Sequence, residues 1–376
     1  MQATMRPLGS RLQTSLSRRS HVFGQLISLM HRPCRVRLPR YVSIVGLSHP
    51  ISLLELHRAV ESLMNAQQLK LPIERPLFRS EVIAGFECGL VHHGRHDLLE
   101  TTRHTPQQRM YDHLRIAYDH GMKTVRDGLV PGHNAVERLR TAQAAGVQGI
   151  WDLSHYHHNS DPVRCARIVA EAALSILGAE RLWLCPVNEP SLYPLIAGMP
   201  QNEAVNLAII MARVARDHHP NIGILTNDPI TGVGERQFAA TDAIVSAVSV
   251  DVIGVNYYPH TARTILSKVL LKTWRRYKKP IMVAETSWHE GHPAHHRRHP
   301  GFHKGSWLRE VLGQVEIARL HGAQIAGVCW YPIIDCPPWH TPRSQRRWSH
   351  GLIRSDLSLD PELSAELAGL RTYSAV

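Results

Sequence analysis

From residue 81 to residue 330 short apolar runs alternate with amphipathic stretches, and eight such runs occur, which constrains the fold more than any other feature of the chain. The runs cover 82–87, 122–126, 147–153, 181–187, 221–226, 251–257, 280–285 and 323–330. Each is short, bounded by polar or glycine residues and apolar on nearly every position, the pattern of a strand buried on both faces. Helical spacing fills the intervals, over 107–120, 134–145, 161–177, 202–217, 235–248, 262–277 and 306–321. At the third of these Ser160-Asp161-Pro162 supplies cap residues and then a proline where the first helical turn tolerates one. Strands alternating with helices give a parallel sheet covered by helices. Eight repeats predict closure into a (β/α)8 barrel, the TIM barrel of the α/β class.

Charge divides the chain. Residues 1–54 hold eight arginines and no acidic residue, so they carry most of the formal charge of +12 on the 376 residues. A basic appendage beside a near-balanced body does not resemble a surface built to track phosphates, and no nucleic-acid partner is expected. The sequence predicts an N-terminal extension over residues 1–80, disordered or concerned with targeting, and a catalytic barrel over 81–376. Ser17-Arg18-Arg19-Ser20 before the apolar stretch 22–30 has features of an export signal, of an organellar transit peptide and of a start placed upstream of the true domain. A cytoplasmic location is the expectation, with export or organellar import left open. No run of about eighteen apolar residues occurs, so no membrane span is expected. The six cysteines are scattered without a C-x-x-C pair and read as reduced thiols.

In a barrel of this kind the functional groups stand where the strands end at the C-terminal rim. The first run ends in Glu87, the second in Arg126-Asp127, and the third in Asp152 with His155-Tyr156 beyond it. The fourth ends in Asn188-Glu189-Pro190, the sixth in Asn256-Tyr257-Tyr258, the seventh in Glu285-Thr286-Ser287-Trp288 and the eighth in Trp330-Tyr331. Glu189 and Glu285 therefore face each other across the barrel mouth. Cleavage of a glycosidic bond needs such a pair, one carboxyl to protonate the leaving oxygen and one carboxylate to meet positive charge at the anomeric carbon. Arg126 would lower the pKa of a nearby carboxylate, and one of Tyr257 and Tyr258 could donate a hydrogen bond to it. Asn188, Asn256 and His155 suit sugar hydroxyls, and Trp288 and Trp330 offer flat faces to a pyranose ring. Glu87 and Asp127 read as structural ion-pair residues, with Arg126 as a candidate partner.

These residues resemble clan A glycoside hydrolases, and within the clan family 1, the β-glucosidase and β-galactosidase family, over residues 81–345. The resemblance rests on Asn188-Glu189-Pro190 after the fourth strand, Glu285 after the seventh, Arg126, His155, Asn256-Tyr257-Tyr258 and Trp330. It implies Glu189 as general acid/base and Glu285 as nucleophile of a retaining double displacement, on a small β-glycoside or oligosaccharide and without a cofactor or metal. The chain departs from the family in reading Ala284-Glu285-Thr286-Ser287-Trp288 around the nucleophile, and in lacking a glutamate over 330–339, where the family holds distal sugar hydroxyls. A carbohydrate-binding pseudoenzyme and a clan A transglycosylase are the alternatives on the same barrel. The histidines at 289, 292, 295, 296, 299 and 303 lie in a Gly- and Pro-punctuated segment, which predicts a loop over the active-site mouth in place of a zinc site.

Overall fold

The computed structural model describes residues 41–42, 51–52, 76–91, 96–105, 107–178, 180–338 and 347–373. The chain divides into two units, Met1–Arg75 and Pro76–Val376. Within the first, Tyr41–Val42 pairs antiparallel with Ile51–Ser52, and the features read as targeting signals lie outside the described residues.

The second unit is a closed barrel of eight parallel strands. They are β1 Val82–Gly85, β2 Thr124–Gly128, β3 Gln148–Asp152, β4 Leu182–Cys185, β5 Ile222–Asp228, β6 Val252–Asn256, β7 Ile281–Thr286 and β8 Ile325–Trp330. β8 closes on β1 with Val328 opposite Val82 and Trp330 opposite Ala84. The helices α1 Gln107–Asp119, α2 Ala135–Ala145, α3 Pro162–Leu177, α4 Gln201–His218, α5 Ala239–Ala247, α6 Leu266–Tyr277, α7 Lys304–Leu320 and α8 Pro361–Tyr373 form the outer layer. Among the described residues no helix is long and apolar enough to cross a membrane.

The strands form where near-continuous apolar runs can bury both faces. Ile83, Ile150, Leu225, Val252, Met282 and Cys329 point inward and are sealed from solvent. Phe78 belongs to this inner cluster, its ring 5.0 Å from Trp183, and the backbone N–H of Arg79 donates to Thr124 Oγ1 at 2.8 Å. The packed unit thus begins a few residues before 81, since Phe78 fills the barrel interior. Opposite Trp183 stands Gly223, where a Cβ would lie 2.3 Å from the indole, so the large inward ring requires glycine on the neighbouring strand.

Helix ends follow local chemistry. Asn134 caps α2 by accepting from Glu137 N, and Gly146 ends it at φ 80°, a left-handed turn that glycine adopts without strain. Asp161 caps α3 ahead of Pro162. α6 begins at 266 instead of 262 because Arg263 N donates to Thr231 O at 2.8 Å and Thr264 O accepts from Tyr257 Oη at 2.5 Å, which ties 263–264 to neighbouring loops.

Candidate active site

Glu285 lies on β7, and its carboxylate is held from two sides. Arg126 on β2 donates through Nη1 to Glu285 Oε1 at 3.0 Å, and Tyr258 Oη donates to Oε2 at 2.9 Å. The guanidinium is fully buried and donates its other protons to Asp152, from Nε at 3.0 Å and from Nη2 at 2.8 Å, to Asn188 Oδ1 from Nη2 at 2.8 Å, and to Ala284 O from Nη1 at 3.0 Å. Burial pushes the Asp152 carboxyl up, but the Arg126 charge together with His155 and the hydrogen bonds from both outweighs it and holds the carboxyl below the usual carboxylate range. One buried cation therefore serves two carboxylates, a geometry that suits the planar fork of arginine.

Glu189 follows β4 at the start of a single 3-10 turn, with φ 47° and ψ 61°. A non-glycine residue in this left-handed region costs about 1–2 kcal/mol, so neighbouring bonds must hold it. Its N–H donates to Asn227 O at 3.0 Å, and two residues on, Ser191 donates to Asp228 Oδ1 from N at 3.2 Å and from Oγ at 2.8 Å. Burial lifts Asp228 to about 7. The Glu189 carboxyl takes Asn256 Nδ2 on Oε1 at 2.7 Å and a short bond from Tyr156 Oη on Oε2. Burial first, and the charge of Glu285 second, raise Glu189 to about 8. The two glutamates line one cleft, Glu285 bonded to a guanidinium and Glu189 only to neutral groups.

The residues expected to touch substrate fall into three groups. Asn256 and Tyr258 line the cleft with the glutamates. Arg126, Asn188 and His155 are fully buried beneath it. Asn188 Oδ1 accepts from Arg126 and, closely, from Asn227 Nδ2, which fixes its amide so that Nδ2 donates to His155 Nε2 at 2.7 Å. Nδ1 of His155 then carries the proton and donates to Asp152 Oδ2 at 3.1 Å. The carboxylates of Asp152 and Glu87 favour a second proton on the ring, but it would have to sit on Nε2 against the Asn188 N–H. With both nitrogens committed, His155 is no free donor for a sugar hydroxyl.

Tyr257, Trp288 and Trp330 turn away from the cleft, and the expectation for them is corrected. Side chains alternate along a strand, so Cys329 and Tyr331 point into the barrel and Trp330 points outward, where its Nε1 donates to His350 O at 2.9 Å. The same alternation sends Tyr257 outward, parallel to Trp307 at 6.4 Å, while Asn256 and Tyr258 face the carboxyls. Trp288 is sealed between His295 at 5.0 Å and Trp307 at 6.2 Å. Among the described residues Tyr331 and Trp348 join Tyr258 on the cleft wall, and Tyr331 Oη donates to Glu87 Oε1 at 3.0 Å. Asp127 pairs with Arg138 at 2.6 Å and with His104 at 3.1 Å, not with Arg126.

The histidine-rich segment is not a plain loop, because Pro293–Arg298 forms a short helix capped by His292. It brings His292 and His295 beside His260, with one ring nitrogen of each within 4.8 Å of the others. Hydrogen bonds speak against a metal there. His295 Nδ1 accepts from His289 N at 3.0 Å and His292 Nδ1 accepts from Ala294 N at 3.2 Å, so the neutral rings carry their protons on Nε2, where a metal would need lone pairs. Cys88, Asp152 and His155 also converge, but the Arg126 guanidinium already supplies the cation to Asp152.

Sequence reasoning missed Asn227 and Asp228, although asking what ends the fifth run, as for the other seven, finds both. It placed Tyr156 next to His155 without a role, and no local signal separates it from an ordinary loop tyrosine.

Comparisons with known proteins agree with the architecture. The family model described as glycosyl hydrolase family 53 matches residues 214–302, a stretch that contains Glu285 and not Glu189. No curated protein matches the chain. Among solved structures, Fpglu1 from Fervidobacterium pennivoraus is similar with a TM-score of 0.56 at 16% identity, covering 79% of this chain and 96% of its own. The family 1 β-glucosidase from Thermotoga maritima gives 0.56 at 12%, covering 78% and 97%. The β-glycosidase BGL167 gives 0.54 at 14%, covering 79% and 96%. At such identities the likeness establishes the shared fold, the eight-stranded barrel of these glycosidases.

Proposed function

We propose that the chain is a clan A glycoside hydrolase that cleaves a β-glycoside or short oligosaccharide with retention of configuration. The observation that carries the reading is the division of labour between two glutamates in one cleft. Glu189, lifted to about 8, keeps its proton at neutral pH and can deliver it to the glycosidic oxygen. Glu285 accepts from the Arg126 guanidinium and the Tyr258 hydroxyl, which hold its carboxyl group in place for attack on the anomeric carbon.

The same coupling explains how one residue serves as acid and then as base. Attack converts Glu285 into a neutral ester, and the charge that helped to raise Glu189 disappears. Its pKa then falls, and the carboxylate left after protonating the leaving group can take a proton from water, whose oxygen opens the ester. Asn256, bonded to Glu189, sets the direction of that carboxyl, and Trp348 offers the ring for the apolar face of a sugar in place of Trp288 and Trp330. Family 1 is supported by the strand-end residues and the shared barrel, and family 53 by the match over β5 to β7, so the reading is held at the level of the clan.

Alanine variants separate the roles. Glu189→Ala should slow substrates whose leaving group needs a proton by about 10²- to 10⁴-fold, while an aryl glycoside with an acidic phenol still forms the glycosyl-enzyme. Glu285→Ala should stop both, and azide should restore turnover with inverted product. Retained product under azide rescue would overturn the assignment of Glu285.

A further inference from the structure

On the far side of the strap that follows β8 lies a second cavity, of about 310 Å³. Cys336 of that strap borders the catalytic cleft, whereas Ile334 and Asp335 border this cavity. Four arginines converge on it: Arg103, Arg109, Arg347 and Arg354. Arg109 stands in the first turn of α1, which has no acidic residue there. A cation at a helix N-terminus opposes the macrodipole, and an anion bound at the same place removes the conflict. Arg347 donates one N–H to Thr101 O at 3.1 Å, and Arg354 reaches Asp360 at 3.3 Å, a carboxylate that also holds Lys304 at 3.0 Å. Two carboxylates border the cavity as well. Asp335 accepts from Gly351 N at 2.8 Å and Asp356 accepts from Ser358, so each has a local donor, and the arginines outnumber them.

The cavity also holds one acceptor. Asp127 takes Arg138 on both oxygens at 2.6 Å, so it is a carboxylate and can only accept. His104 must then present Nε2–H to Asp127 Oδ2, at 3.1 Å, which leaves its Nδ1 as a lone pair. That lone pair faces His113 Nδ1 at 3.0 Å, so His113 carries its proton on Nδ1. His113 borders the cavity, one turn along α1 from Arg109 and on the same face, and its other nitrogen, Nε2, is an acceptor with no partner among the described residues. Burial and the neighbouring His104 and Arg109 hold His113 down at about 3, so it does not become a donor at neutral pH.

We propose that this cavity binds inorganic phosphate, with the four arginines on its charged oxygens and its remaining O–H donated to Nε2 of His113. The acceptor sets the selectivity. Hydrogenphosphate keeps one proton at pH 8, whereas sulfate has none and a phosphate monoester, with its second pKa at about 6, has lost its own. Neither sulfate nor the phosphate group of the monoester can donate to His113, and each would place an oxygen lone pair against the nitrogen lone pair. The inference is independent of the chemistry assigned to the glutamates.

Titration calorimetry on the full chain at pH 8 and constant ionic strength, with sodium phosphate, sodium sulfate and glucose 6-phosphate, tests it. Phosphate should bind with one-to-one stoichiometry, and sulfate and the sugar phosphate at least about tenfold more weakly. Lowering the pH to 5.5 should strengthen binding of the sugar phosphate and not of sulfate. Arg109→Ala, a change on the half-buried start of α1, should weaken phosphate about tenfold or more. No phosphate binding at millimolar concentration, equal binding of sulfate, or unchanged affinity in Arg109→Ala would each overturn the proposal.

Discussion

Replacing Glu189 by glutamine should remove activity and stabilise the fold, by an amount that grows with pH. The carboxyl is buried and titrates at about 8, against an ordinary value of 4.5. Between those values the folded chain holds a proton that the unfolded chain has released, so raising the pH through this window draws the equilibrium toward unfolding. At pH 7, about 2.5 pH units above the ordinary value and at about 1.4 kcal/mol per unit, the cost is about 3 kcal/mol. Glutamine is isosteric, can accept from Asn256 Nδ2 as Glu189 Oε1 does, and carries no charge to desolvate. Urea unfolding of both proteins at pH 5, 6, 7 and 8 should give a stability gap in favour of the variant that widens by about 1.4 kcal/mol per pH unit and levels off above pH 8. Subtracting the parent removes the contributions of all other titrating groups. A gap that does not change with pH, or one that narrows as pH rises, would refute the claim that the native site keeps Glu189 protonated.

Two further outcomes follow from the same structure. Tyr156→Phe removes a hydroxyl whose bond favours the Glu189 carboxylate, so the alkaline limb of kcat/KM should move to higher pH, by on the order of one unit, and an unmoved limb would show that Tyr156 does not act on Glu189. We propose that the basic N-terminal extension is dispensable for the barrel, so that the chain beginning at Pro76 unfolds within about 2 °C of the full protein and keeps its turnover, since local surface changes rarely exceed half a kcal/mol; a loss of both would assign the extension to the folded unit.

The barrel was legible because its signal is collective. All eight apolar runs became strands within a few residues of their expected limits, and burial on both faces made helical alternatives implausible at lengths of four to seven. The positions of Glu189 and Glu285 were legible for a related reason, since a residue that ends a strand is fixed in space by the strand. Orientation was harder. Trp330 and Tyr331 are adjacent, and which one faces inward depends on the strand's register, which a one-residue change inverts. The chain of bonds through Asn188, His155 and Asp152 to Arg126 joins the ends of three strands, and no spacing in the sequence reveals it. The helix over Pro293–Arg298 was hidden because glycine and proline read as loop, although a proline at the first helical turn after a His292 cap is compatible with a helix.

The central claim is that Glu285 attacks the anomeric carbon and Glu189 protonates the leaving oxygen, which makes the reaction two displacements. Proton NMR of the first-formed sugar, recorded within minutes of adding enzyme to a β-aryl glycoside that it hydrolyses and before mutarotation, reads the outcome directly. The β-anomer should appear first and the α-anomer only later, by mutarotation. An α-anomer as the first product would mean a single displacement by water, and would contradict the roles given to both glutamates.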